Sequence, residues 1–143
     1  LNVISMGVFS YASVHLGDKY GHKTSMLLAY LFHFLAVVSA IFSKNMFIVY
    51  CIFIFIGAGQ GAFMPSAMNL IYDFAKDKDK KTYMALIDSF LAPFAILFLL
   101  GIGFLINEGQ FILSFYIIGA CLFISIVLLL FFVKDPGYNK LHI

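Results

Sequence analysis

The sequence predicts an all-α, polytopic transmembrane helix bundle of about five spans. Three observations carry that expectation. Hydrophobic residues make up 63% of the 143 residues and charged residues only 11%. A soluble domain holds about half and about a quarter of each, and so few polar residues cannot cover this much Phe, Ile and Leu in water. The apolar segments are long and broken by short polar stretches. The lysines, finally, gather at alternate junctions between those segments. Backbone N–H and C=O groups find no water in hydrocarbon, and no alternating ten-residue pattern argues for a barrel, so the spans are expected to be helices.

Taken in order, residues 1–15 are apolar with Ser5, Ser10 and Ser13 interspersed. A crossing takes about 20 residues, so this stretch reads as the end of a truncated span. The first residue is Leu and no basic leader precedes it. No cleavable signal is therefore expected. The sequence is expected to begin partway through a protein, although a processed chain would look the same. Leu16-Gly17-Asp18-Lys19-Tyr20-Gly21-His22-Lys23 reads as a tight polar turn, in which Gly21 can take a positive φ and let the chain reverse. Thr24 or Ser25 is expected to cap the second segment. That segment, 25–42, is apolar apart from His33 and a few Ser and Tyr. The very short turn Ser43-Lys44-Asn45 places the next segment antiparallel beside it.

Segment 46–74 is the longest and the richest in small and polar residues: Gly57, Gly59, Gln60, Gly61, Pro65, Ser66 and Asn69. The solvated run Lys76-Asp77-Lys78-Asp79-Lys80-Lys81 follows, and Thr82 is the expected cap of segment 84–106, which carries Asp88 and Pro93. After the turn Asn107-Glu108-Gly109-Gln110, segment 111–133 is the most uniformly apolar. Lys134-Asp135-Pro136-Gly137 stops it, because proline disfavours helix at the residue before it. Cys51 and Cys121 both fall inside apolar segments, where they read as packing residues rather than a disulfide or metal pair. No metal or cofactor is expected.

Eight lysines (Lys19, Lys23, Lys76, Lys78, Lys80, Lys81, Lys134 and Lys140) fall on one side of this topology and only Lys44 on the other. By the positive-inside rule, the Gly17–Lys23 turn, the charge run and the C-terminus are expected to be cytoplasmic. A net charge of +2 is too small to argue for a nucleic-acid partner.

In this setting the turn resembles the signature loop of the major facilitator superfamily of secondary transporters. That pattern runs Gly, three residues, Asp, Arg or Lys, any residue, Gly, then two basic residues. Asp18, Lys19, Gly21 and Lys23 match it, and Gly17 adjoins the matching acid. His22 is a partial match to a basic position, and Val14 stands where the first Gly belongs. Helix spacing, short outer turns and charge topology extend the resemblance over the whole chain. It implies that residues 1–143 form one incomplete transporter half. The degraded motif, the early end of the chain after its last span, and the absence of any Arg where the family's fourth span usually has one assign spans eight to twelve.

The resemblance also implies a function. It points to a secondary active transporter that moves a small solute by alternating access, with Gly17, Asp18, Lys19, Gly21 and Lys23 as a conformational latch. The expected partners are a small-molecule substrate of unknown identity, a coupling ion (proton or sodium), the lipid bilayer and the missing N-terminal half. The expected location is multi-pass in the bacterial inner membrane. A non-transporting scaffold or receptor on the same fold is the alternative. An intramembrane enzyme is disfavoured, since the sequence has no His-Glu-x-x-His, no Gly-x-Ser-x-Gly and no paired intramembrane acids.

Within the spans, Gly59, Ala62, Ser66, Asn69 and Asp73 follow three- and four-residue steps and share one helix face. Gln60 lies about 100° from Gly59 and broadens that stripe. Gln60, Ser66 and Asn69 are the candidates for a substrate cavity. The competing reading is close helix packing through small residues. Asp88 is read either as an ion-coupling residue or as an interfacial carboxylate paired with a nearby Lys. His33 is expected to pack or to bond a carbonyl. The second and last segments are expected on the lipid-facing outside.

Overall fold

The computed structural model describes residues 1–75 and 79–133. Residues 76–78 of the charge run and the terminal residues 134–143, with the predicted Lys134-Asp135-Pro136-Gly137 stop and the cytoplasmic C-terminus, lie outside the described residues. The described residues form five helices and no strand: α1 Asn2–Tyr20, α2 His22–Ile41, α3 Met46–Ala75, α4 Lys80–Asn107 and α5 Phe111–Phe132. Among the described residues, four stretches are long and apolar enough to cross a membrane: His22–Ile41, Met46–Phe74, Lys80–Asn107 and Phe111–Phe132. Helix α1 does not end near residue 15 but continues through 19 residues to Tyr20.

Helices α1 and α2 lie along α3, α5 lies on α2, and α4 touches α3 and α5 only lightly. The pairing of α1 with α3 is parallel. Ser5 Oγ donates to the Ile54 carbonyl (2.7 Å) and Ser13 Oγ to the Ala62 carbonyl (3.1 Å), both across a separation of 49 residues. Gly57 and Gly61 permit this approach. A Cβ at Gly57 would strike the Asn2 carbonyl oxygen, and one at Gly61 the Met6 carbonyl oxygen. In hydrocarbon there is no hydrophobic gain from packing one apolar helix on another, so close backbone approach and interhelical hydrogen bonds hold a bundle together.

The core reflects that physics. Among the described residues, the buried apolar ones are Ala29, Ala36, Ala58, Ala62, Leu70 and Leu129, and the buried polar ones are all serines: Ser5, Ser13, Ser25, Ser66 and Ser114. The large side chains mostly point outward. Where aromatics of different helices meet among the described residues, they tie α2 to its neighbours. Phe9 meets Phe32 edge-on at 4.9 Å between ring centroids, and Tyr30 meets Phe63 at 5.8 Å.

The helix caps differ from expectation. The α2 N-terminus is flanked by Gly21 with no side-chain cap. Thr24 Oγ1 instead donates to the open Tyr20 carbonyl at the end of α1 (3.1 Å), and Ser25 Oγ donates to the Ser13 carbonyl within α1 (3.0 Å), so both hydroxyls bond α1 and not their own helix. At α4 the cap is Asp79, not Thr82. The Asp79 carboxylate accepts from the Lys81 and Thr82 amides and from Thr82 Oγ1 at 2.8 Å. The α4–α5 turn closes as a Schellman motif: Gly109, at φ 74°, donates to Ile106 and Gln110 donates to Leu105.

The bonds to Asp79, first from the Thr82 hydroxyl and then from the Thr82 and Lys81 amides, hold its carboxyl below the usual aspartate range. A depressed folded-state value means the cap stabilises α4 above the unfolded aspartate range and loses that contribution as pH falls through the folded value. Asp79→Ala is expected to speed amide exchange in the first turn of α4 at neutral pH. In the native chain, acidification below the aspartate range is expected to do the same.

Candidate functional site

The stretch expected to be a turn is a corner between two helices. Gly17, Asp18, Lys19 and Tyr20 form the last turn of α1, His22 and Lys23 open α2, and Gly21 alone joins them. Gly21 takes φ 89° and ψ 148°, a region essentially reserved for glycine. Its amide donates to the Gly17 carbonyl (2.9 Å), and its carbonyl accepts from the Thr24 amide (3.2 Å). The backbone therefore stays hydrogen-bonded through the reversal, which explains why no longer loop is needed.

Each motif residue has a distinct place. Gly17 is buried because the His22 ring lies on it; a Cβ there would stand 2.5 Å from His22 Nδ1. His22 Nε2 in turn reaches to 3.9 Å from Asp73 Oδ2 on α3. That Asp73 oxygen is buried and has no hydrogen-bond partner among the described residues. Lys23 Nζ donates to the Leu130 carbonyl (2.9 Å), tying the start of α2 to the end of α5, where a cation also meets the negative end of the helix dipole. Lys19 Nζ lies 5.2 Å from the centroid of the Tyr20 ring. Asp18 is exposed and pairs with no described residue. It occupies the last turn of its own helix, the negative end.

The three- and four-step face of α3 is a packing face in its upper part. Gly59 lies under the His33 ring, while Ala62 and Ser66 meet α1. Ser66 is 2% exposed and shares a 2.9 Å hydrogen bond with Ser13, so it joins two helices and does not face open space. Gln60, by contrast, is exposed on an adjacent face one turn from Met64, which is 62% exposed, and Asn69 is half-buried. Asp88 is exposed on α4, and no Lys pairs with it among the described residues. His33 bonds the Ala29 carbonyl through Nδ1 at 2.9 Å.

Two residues escaped the sequence reading. Tyr11, 81% exposed, and His15, also exposed, stand four residues apart on the face of α1 turned away from the Ser5–Ser13 contact. The available signal was the serine spacing, which marks the packed side of α1 and so identifies its open side. The grooves between α2 and α5, such as one of about 360 Å³ lined by Phe34, Val37, Phe115 and Tyr116, contain none of the candidate polar residues. Among the described residues, no three His, Cys, Asp or Glu side chains gather to hold a metal, and Cys51 and Cys121 are free.

A bundle of long apolar helices with serine and glycine contacts and a charged corner at one end defines a multi-pass integral membrane protein. The model of the Major Facilitator Superfamily matches residues 1–142. The chain belongs to that superfamily, and it is a transporter chain of the major facilitator kind. No curated protein and no solved structure matches it.

Proposed function

We propose that the chain is the C-terminal part, spans eight to twelve, of a secondary active transporter that moves a small solute by alternating access. The single observation that carries this reading is the corner at Gly21. It is a one-residue joint between two spans, fastened to α3 through His22 and Asp73 and to α5 through Lys23. A corner with separate ties to two neighbouring helices can be held in one arrangement and released in another, which rocking of one half against the other requires.

In this proposal the corner faces the cytoplasm of a bacterial inner membrane, and the C-terminus lies on the same side. Asp18, exposed and without a partner among the described residues, is the latch residue presented to the missing N-terminal half. The solute cavity is lined by the open faces of α1 and α3, with Tyr11, His15, Gln60 and Asn69, and Ser66 acts behind it as a helix tie. Asp88, an acid within a span that pairs with no described residue, is the residue available to a coupling proton or sodium ion.

The test is uptake by the full-length protein in proteoliposomes across a panel of small solutes. Asp18→Asn is expected to reduce uptake at least severalfold, with insertion and protein level unchanged. Uptake equal to that of the native protein removes the latch role. A full-length protein that moves no solute in any gradient supports the scaffold reading instead.

A further inference from the structure

His33 stands near the middle of a span and uses only one of its two ring nitrogens. Its Nδ1 lies 2.9 Å from the Ala29 carbonyl. A carbonyl oxygen only accepts, so Nδ1 carries the proton, and in the neutral ring Nε2 is left as an acceptor. The Nδ1, Cε1 and Cγ atoms lie against Gly59 of α3, where a Cβ would collide with them. One contact along its own helix and one across to α3 therefore fix the ring, and both use its Nδ1 side. Nε2 has no partner among the described residues. It is not sealed off either, since the one buried side-chain N or O without a partner among those residues is Asp73 Oδ2.

The ring lines a cleft of about 230 Å³ where α2, α3 and α5 meet, walled also by Ala36, Ala40, Ile52, Ile56 and Phe115. His33, Ala36 and Ala40 follow three- and four-residue steps on one face of α2, so the two alanines leave the space beside the ring. His33 is the one lining residue with a polar side chain.

Chemistry narrows what can fill this space. A charged group would lose its hydration with no opposite charge to meet it. A wholly apolar group would leave Nε2 unpaired. A buried water needs about two to four polar partners, and the lining side chains provide one. A neutral molecule with an apolar body and a single O–H donor satisfies all three constraints. The size also fits, because an apolar cavity of roughly 150 Å³ takes up benzene and this cleft is larger.

We propose that the cleft is a binding site for a small lipophilic phenol taken up from the bilayer, with the phenol hydroxyl donating to His33 Nε2 and the ring lying against Ala36, Ala40 and Phe115. The site is separate from the solute cavity proposed on α1 and α3, and it stands without the transporter reading.

The test compares 4-propylphenol with 4-propylanisole, which differ only in having a hydroxyl or a methoxy group, on the full-length protein in lipid nanodiscs. Protein-free nanodiscs of the same lipid correct for partitioning. The native protein is expected to bind the phenol about three- to tenfold more tightly, the worth of one hydrogen bond. His33→Phe is expected to erase that preference, and Ala40→Leu, which narrows the cleft without altering the histidine, to weaken binding of the phenol about threefold or more. In histidine-labelled native protein the ¹⁵N resonance of His33 Nε2 is expected to move with the phenol and not with the anisole, a readout that needs no variant to fold. Equal binding of the two compounds, a preference that survives His33→Phe, or an unmoved Nε2 resonance overturns the proposal. None of these readouts involves transport, so their failure is separate from a failure of the uptake assay.

Discussion

Gly61→Ala is expected to destabilise the bundle more than any other single-methyl addition along α3, with Gly57→Ala close behind. The added Cβ would fall on the Met6 carbonyl oxygen, or at Gly57 on that of Asn2. Both obstacles are backbone atoms, which cannot rotate aside as a flexible side chain can. The helices must separate instead, and the separation loosens the Ser13 bonds to Ala62 and Ser66. Overpacking costs about 1–3 kcal/mol, and each lost interhelical hydrogen bond adds about 0.6 kcal/mol. Gly7→Ala is the control of opposite sign. Nothing lies within 4 Å of a Cβ built there, and alanine is better than glycine in a helix by about 0.8–1.0 kcal/mol. Equilibrium unfolding in mixed micelles should place the Gly61 and Gly57 variants below the native protein and Gly7→Ala at or above it. Equal stabilities for the Gly61 and Gly7 variants would mean that α1 and α3 do not meet at these glycines.

The second large effect is expected at Gly21. With φ 89° and ψ 148°, it occupies a conformation that a side chain makes costly by about 1–3 kcal/mol. Gly21→Ala is expected to lower the melting temperature and to reduce uptake by the full-length protein sharply, because both helix ends and the Gly17 and Thr24 bonds turn on this residue. Gly21→Asn distinguishes this from an ordinary left-handed cap. Asparagine tolerates the left-handed helical region, where ψ is near 47°, but ψ at Gly21 is about 100° away from that value. Asparagine is therefore expected to fare no better than alanine. Rescue by asparagine in thermal melts would show that the corner relaxes into a different turn.

Much of the fold was legible because hydrocarbon imposes few choices. Length, hydropathy and the lysine distribution identify helices and their junctions without any knowledge of packing. The motif at Asp18, Lys19, Gly21 and Lys23 was legible as a pattern, yet its geometry was not. Helix-ending and turn-forming residues look alike in sequence, so the continuation of α1 through Tyr20 and the one-residue joint needed coordinates. Thr24 and Thr82 illustrate the same limit. A hydroxyl near a helix start can accept from its own helix or donate elsewhere, and the choice depends on which open groups lie nearby. For Thr24 these are the α1 carbonyls, and at Thr82 the neighbouring Asp79 is the stronger acceptor. The α3 face was ambiguous between cavity and contact, since glycine, alanine and serine suit both. Ser66 belongs to the contact because Ser13 lies opposite, a pairing that depends on the register between two helices far apart in sequence. The same absence of register information hid the role of His22, whose partner Asp73 is 51 positions away (73 − 22).

Helix α4 differs from the other four in having no buried residue, although it is long and apolar enough to cross a membrane. The rest of this chain therefore does little to hold that helix in place. During synthesis such a segment can partition from the insertion machinery into the bilayer before any tertiary structure exists, anchored at its entrance by the Asp79 cap. Assembly then requires only that an already inserted helix find its neighbours. This separates the step that establishes topology from the step that establishes packing.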